Sequence, residues 1–150
     1  FKVRSHIVSG WWKDTGKPED ILEVNRLVLD EIEPVVEGAI EEGASVVGRV
    51  SVGKNSVIRS GCVVRGPVVI GENCAIEGGT YIGPYTSVGN DCTIRGAHIE
   101  SSVLMGGCRL ECENHVVDSL IGKNATVASA NHDVPRGCRL IVGENSYLKI

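Results

Sequence analysis

At 150 residues the chain has room for one domain and little more. Its 15 basic and 19 acidic residues include no basic block, which excludes the electrostatic footprint of a nucleic-acid or anionic-membrane binder. Nineteen glycines against 4% aromatics call for an aliphatic interior and a backbone that turns often.

Residues 1–12 alternate, with Phe1, Val3, Ile7 and Trp11 on one side and Lys2, Arg4 and His6 on the other, which predicts one strand. Its start has no signal-peptide order, and no apolar run in the chain approaches membrane-spanning length, so the expected location is the cytoplasm. After an Asp14-Thr15-Gly16 turn, Pro18 sits at a first helical position, with Glu19 and Asp20 in the first turn. An amphipathic helix carrying Ile21, Leu22, Leu27 and Leu29 follows and ends near Ile32. Between Asp30 and Glu42 lie six acids and no bases, interrupted by Pro34 and Gly38, which reads as a connector. It divides the chain into segments 1–39 and 40–150.

The second segment holds the strongest signal: an Ile or Val at every sixth position, at 40, 46, 52, 58, 64, 70, 76, 82, 88 and 94. Two residues before most of these stands something small, as at Ala44, Ser56, Cys62, Cys74, Thr80, Thr86 and Cys92, with Val50 and Val68 the larger exceptions. Neither a helix nor an ordinary strand has a six-residue period. A coil with three short sides does, so the reading is an all-β fold, a parallel β-helix of hexapeptide repeats with about six coils. Arg59, Arg65, Glu77 and Arg95 then face outward. The Gly53-Lys54-Asn55-Ser56 pattern recurs at 71–74, 122–125 and 143–146, pairing the two residue types that best tolerate left-handed backbone angles at a corner. Beyond Ile94 the offset shortens to 17, aligning 98–104 with 115–121; residues 128–139 break the pattern before Val142 and Leu148 resume it.

Of the six cysteines, Cys62, Cys74, Cys92 and Cys108 occupy the small position and read as core filler rather than metal ligands. His98, His115 and His132 are each 17 apart and predict a column along one edge. Stacked imidazoles about 4.8 Å apart point in parallel, which suits zinc poorly. His132, beside Asn131 in the irregular stretch, is the best-placed base for the competing function class, a hexapeptide-repeat acyltransferase; a purely structural assembly module is a third reading. Asp14 before Thr-Gly builds a turn whatever else it does.

The W-x-D-T-G-x-P run at residues 12–18, taken with the hexads behind it, resembles the long-form glucose-1-phosphate thymidylyltransferases and their sugar-1-phosphate nucleotidylyltransferase relatives. The resemblance covers essentially the whole chain. It implies a left-handed β-helix, preceded by one strand and one helix left over from an α/β nucleotidyltransferase domain that lies before residue 1. It implies that Asp14 is a magnesium ligand in the intact enzyme, with no complete catalytic set here: the partner aspartate, the G-G-x-G-T-R-L phosphate loop and the substrate-binding lysines are not in this sequence. The intact enzyme would join dTTP and glucose 1-phosphate into dTDP-glucose and pyrophosphate, while this chain alone would be inactive and need no cofactor. Its β-helix would assemble a homo-oligomer, expected as a trimer.

Overall fold

A computed structural model describes residues 17–129 and 140–148. The strand expected over residues 1–12 and the Asp14 turn lie outside the described residues. Among the described residues one helix, α1 (Pro18–Glu31), precedes the strands, with Pro18 at its start and Glu19 and Asp20 in its first turn. Five coils of three short strands follow. They are β1 (Ala39–Ile40), β2 (Ser45–Val47) and β3 (Val50–Val52); β4 (Val57–Ile58), β5 (Val63–Arg65) and β6 (Val68–Ile70); β7 (Ala75–Glu77), β8 (Tyr81–Ile82) and β9 (Thr86–Val88); β10 (Thr93–Arg95), β11 (His98–Glu100) and β12 (Val103–Leu104); and β13 (Arg109–Glu111), β14 (His115–Val117) and β15 (Leu120–Ile121). A sixth coil opens with β16 (Thr126–Ala128).

Every third strand pairs in parallel, making a three-sided prism whose first face is β1-β4-β7-β10-β13-β16, second face β2-β5-β8-β11-β14 and third face β3-β6-β9-β12-β15. The six-residue beat therefore puts one Ile or Val into the core from each face of each coil. Ile58, Ile76, Ile94 and Leu110 stack from the first face, Val64, Ile82 and Ile99 from the second, and Val52, Ile70, Val88, Leu104 and Ile121 from the third, all at 2% exposure or less. Each contributes roughly 1.5–3 kcal/mol relative to exposure. The ladder is incomplete at its start. Ile40 is 40% exposed and Val46 half-buried, because among the described residues no earlier coil covers the first and second faces there. Among the described residues only the third face is extended, by a bridge from Val36 to Val52.

Three further expectations are refined. The shortening past Ile94 is two separate losses: Ala75 pairs with Thr93 at an offset of 18, Tyr81 with His98 at 17, and Ser87 with Val103 at 16. The sixth coil does not continue in parallel, since β17 (Leu140–Ile141) runs antiparallel to β16. In α1 the buried positions are Ile21, Asn25 and Leu29, four apart, whereas Leu27 lies off that stripe and is 59% exposed.

Asparagines do turn the corners as their spacing suggests: Asn55, Asn73, Asn124 and Asn145 all have φ between 57° and 62°. Asp91 takes the same conformation in the fourth coil. Outward from the first face runs a ladder of alternating sign, Glu41, Arg59, Glu77, Arg95 and Glu111, with Arg59 3.0 Å from Glu41 and 3.5 Å from Glu77. The Ser60 amide and the Arg59 guanidinium hold the Glu41 carboxyl below its usual range. Alternating signs favour this coil pairing over one slipped by a whole coil, which would oppose like charges.

Candidate functional site

The third face differs from the others in what it turns outward: Ser51, Val69, Ser87, Val103 and Leu120, with no charge among them. Helix α1 covers this column. Ile21 packs on Val103 and Leu120, with Leu22 and Met105 at the margin. Leu29, at 1% exposure, is the other apolar residue of the buried stripe. Between Ile21 and Leu29 the stripe is interrupted by Asn25, 2% exposed, which is satisfied on both sides. Its Nδ2 donates to the Tyr85 carbonyl at 2.9 Å, and its Oδ1 accepts from the Ser87 hydroxyl at 2.5 Å.

Tyr85 is the hub of the junction. It stands at a corner with φ 64°, its hydroxyl donates to Asp30 Oδ1 at 2.7 Å, and the Arg26 guanidinium lies 4.1 Å from its ring centre. The bond to Asp30 pushes the phenol above its ordinary value. Arg49 closes the end of the helix by donating to the Asp30 and Ile32 carbonyls at 2.7 and 3.4 Å. α1 therefore runs antiparallel to the advance of the coils, Ile21 near its start packing on the fourth and fifth and its last residues bonded to Tyr85 of the third and Arg49 of the first.

The second face carries a separate cluster. Tyr81, His98 and His115 are consecutive rungs of one outward column, with ring centres 5.9 and 6.3 Å apart in edge contact. Glu100 beside them accepts from the Tyr81 hydroxyl at 3.0 Å and lies 3.5 Å from His115 Nε2. Two of the three histidines expected in a column are thus in register; His132 and Asn131 lie outside the described residues, as does Asp14. Among the described residues no group of three His, Cys, Asp or Glu side chains is arranged to hold a metal.

Among the described residues the cysteines fill the interior, Cys62, Cys74, Cys92 and Cys108 as expected. Cys74, Cys92 and Cys108 stack on Ser56 in one column, each thiol near a carbonyl of the next coil: Gly89 at 3.1 Å, Met105 at 3.3 Å and Gly122 at 3.1 Å. The thiols on either side, together with burial, push Cys92 upward, and burial does the same for Cys62 and Cys112. Buried in the core, the described thiols serve packing.

The GMPPB C-terminal domain family matches residues 64–147, more than half of the chain and most of the prism. The chain belongs to this family. The match extends across α1 and beyond the GMPPB C-terminal domain in individual relatives. The low-salt glycan biosynthesis nucleotidyltransferase Agl11 of Haloferax volcanii is 49% identical over 150 residues, 100% of this chain and 42% of that protein. The glucose-1-phosphate thymidylyltransferase of Streptomyces antibioticus is 38% identical over 148 residues, 99% of this chain and 41% of that protein. The resemblance drawn from residues 12–18 and the hexads therefore holds. The chain spans about two fifths of the length of these relatives. A hexapeptide transferase family protein from Anaplasma phagocytophilum is similar at TM-score 0.30 and 18% identity, over 75% of this chain and 86% of that one, too slight a likeness to bear on activity.

Sequence reasoning missed the junction residues Asn25, Asp30, Arg49 and Tyr85. One signal was there to be read: a lone Asn between Ile21 and Leu29 on an apolar stripe needs partners wherever that stripe is buried.

Proposed function

We propose that this chain serves a sugar-1-phosphate nucleotidylyltransferase, completing its nucleotide-binding domain through the Asp14 turn and assembling its subunits through the prism. In the intact enzyme glucose 1-phosphate would attack the α-phosphate of dTTP, giving dTDP-glucose and releasing pyrophosphate. Identity of 38–49% along the whole chain to named nucleotidyltransferases carries this reading. Thymidine and glucose rest on the two thymidylyltransferases among them.

Asp14 would supply one carboxylate to a magnesium ion; when bound, the ion withdraws charge from the nucleotide phosphates. What this chain adds is placement. Helix α1 is docked on the third face, and a carboxylate carried reproducibly ahead of it would supply the positioning that is a large part of what a two-substrate transfer needs.

The test is an assay of the full-length protein containing this chain, with magnesium, a panel of nucleoside triphosphates and a panel of sugar 1-phosphates. Pyrophosphate and dTDP-glucose should form fastest from dTTP and glucose 1-phosphate. No nucleotide sugar from any pairing would overturn the reaction class, and preference for another pair would overturn only its substrates. Asp14→Asn keeps the shape of the turn and removes a charge, so turnover should fall by orders of magnitude. A loss within about twofold, or roughly 0.4 kcal/mol in the barrier, would refute the metal role.

A further inference from the structure

Helix α1 covers the third face and a ladder of alternating charge lines the first, whereas the second turns a cluster of imidazole, carboxylate and phenol groups to solvent. His98 and Glu100 stand two apart on β11 and so share its outer side, and His115 follows His98 one rung on. Both histidines are exposed, and the Glu100 side chain is 33% exposed. Glu100 reaches both ways. Its Oε1 accepts from the Tyr81 hydroxyl on the rung before His98, and its Oε2 lies 3.5 Å from His115 Nε2 on the rung after it. The carboxylate is thereby held at the level of His98. Gly83 leaves it room, because a side chain there would run into Glu100 and the Tyr81 hydroxyl.

We propose that His98, His115 and Glu100 bind a divalent cation of the zinc class. A charge-assisted hydrogen bond between an imidazole and a carboxylate would draw the two in to roughly 2.7–2.9 Å. Two donors on one tetrahedral zinc, each roughly 2.0–2.1 Å from the metal, lie about 3.4 Å apart instead. The 3.5 Å between His115 and Glu100 matches the second spacing. The rings of the column are not parallel: Tyr81 and His98 stand at 71° to each other, and His98 and His115 at 77°. Two imidazoles on one tetrahedral zinc have ring centres roughly 5.3 Å apart. Those of His98 and His115 are 6.3 Å apart. The three donors therefore do not converge as they stand, and His98 closes the remaining distance, about 1 Å, by turning about the bonds of an exposed side chain.

Two imidazoles and one carboxylate suit Zn2+, Co2+ or Ni2+ and not Mg2+, which prefers oxygen ligands. Three protein ligands leave a fourth position on zinc to water, on the solvent side. Tyr81 is a positioning residue: by holding Oε1 it orients Glu100 and leaves Oε2 for the metal. The site uses none of the residues proposed for nucleotidyl transfer and is read by metal binding alone, so it fails separately from that reading.

Co2+ stands in for Zn2+ and reports tetrahedral coordination by its visible absorption. Titrating the 150-residue chain with Co2+ under reducing conditions should give a saturable spectrum that equimolar Zn2+ abolishes and excess Mg2+ leaves in place. His98→Ala, His115→Ala and Glu100→Gln should each weaken Zn2+ binding at least tenfold in competition with Co2+. Tyr81→Phe keeps all three ligands and should still weaken it about tenfold. Glu111→Gln, which removes an outward acid from the first face, should bind as the unaltered chain does. Circular dichroism checks that each variant keeps the fold, and His98→Gln or His115→Gln replaces an alanine variant that does not. An unchanged Tyr81→Phe removes the orienting role of its hydroxyl. No saturable Co2+ spectrum, displacement by Mg2+, an equal loss in Glu111→Gln, or an affinity within about twofold of the unaltered chain in any one of the three ligand variants overturns the proposal.

Discussion

Asn25→Ala probes the junction between α1 and the prism most directly. It removes a donor to the Tyr85 carbonyl and an acceptor for the Ser87 hydroxyl, from a side chain 2% exposed. A buried polar group left without its partner costs about 1–3 kcal/mol. Ser87 is half-buried and regains water by rotating, so the Tyr85 carbonyl carries most of the loss, and about 2 kcal/mol in all is expected. The flanking anchors Ile21 and Leu29 contribute roughly 1.5–3 kcal/mol each, so the helix stays docked but opens more often. Hydrogen exchange of the peptide over residues 18–31 reads this as local opening, where 2 kcal/mol corresponds to about thirtyfold faster exchange. Peptides from β7 and β10, in the middle of the prism, should be unchanged. Acceleration below about threefold in α1, or equal acceleration in the prism, would show that Asn25 does not hold the helix.

Three more expectations follow from single residues. Thr86 is fully buried and its hydroxyl has no partner among the described residues, while Val50 and Val68 occupy the same column in the two preceding coils; Thr86→Val should raise stability by about 1 kcal/mol in urea unfolding, and a loss would mean that the hydroxyl is satisfied. Asn73, at φ 57°, should lose about 1–2 kcal/mol on replacement by Ala and clearly less by Gly; equal losses would refute backbone strain as the cause. Tyr85 is held above its ordinary value by Asp30, so its contribution is complete below about pH 10, where an ordinary phenol titrates, and is lost as pH rises through its folded-state value. Exchange in α1 should therefore quicken at alkaline pH beyond its intrinsic rise, and Tyr85→Phe should abolish that excess.

The prism was legible in the sequence because its cause is local. A strict beat of six, with Ile or Val at ten successive inward positions and Asn where left-handed angles recur, has one simple solution, and the coils stack on it in the expected register through Ile94. Cysteine burial followed from the same beat, since a residue in the small position must point inward. Past Ile94 local pattern was less decisive: a 17-residue alignment averages over two corners that each lose one residue, and only strand pairing separates them. The edge at Ile40 escaped for a related reason, because its hexad is the same as the others and its exposure depends on what stacks before it. The uncharged outward column Ser51, Val69, Ser87, Val103 and Leu120 did stand in the sequence as a signal that one face is covered, but period alone does not say by what. Only tertiary structure decided that α1 lies there, that Asn25, 60 residues before Tyr85, meets its carbonyl, and that Tyr81, a coil before His98 and His115, joins their column. The sequence by itself determined the coil, because backbone geometry and apolar burial act within a few residues. Which faces are covered, charged or left open was decided by contacts between residues far apart in the chain, and no local periodicity encodes those.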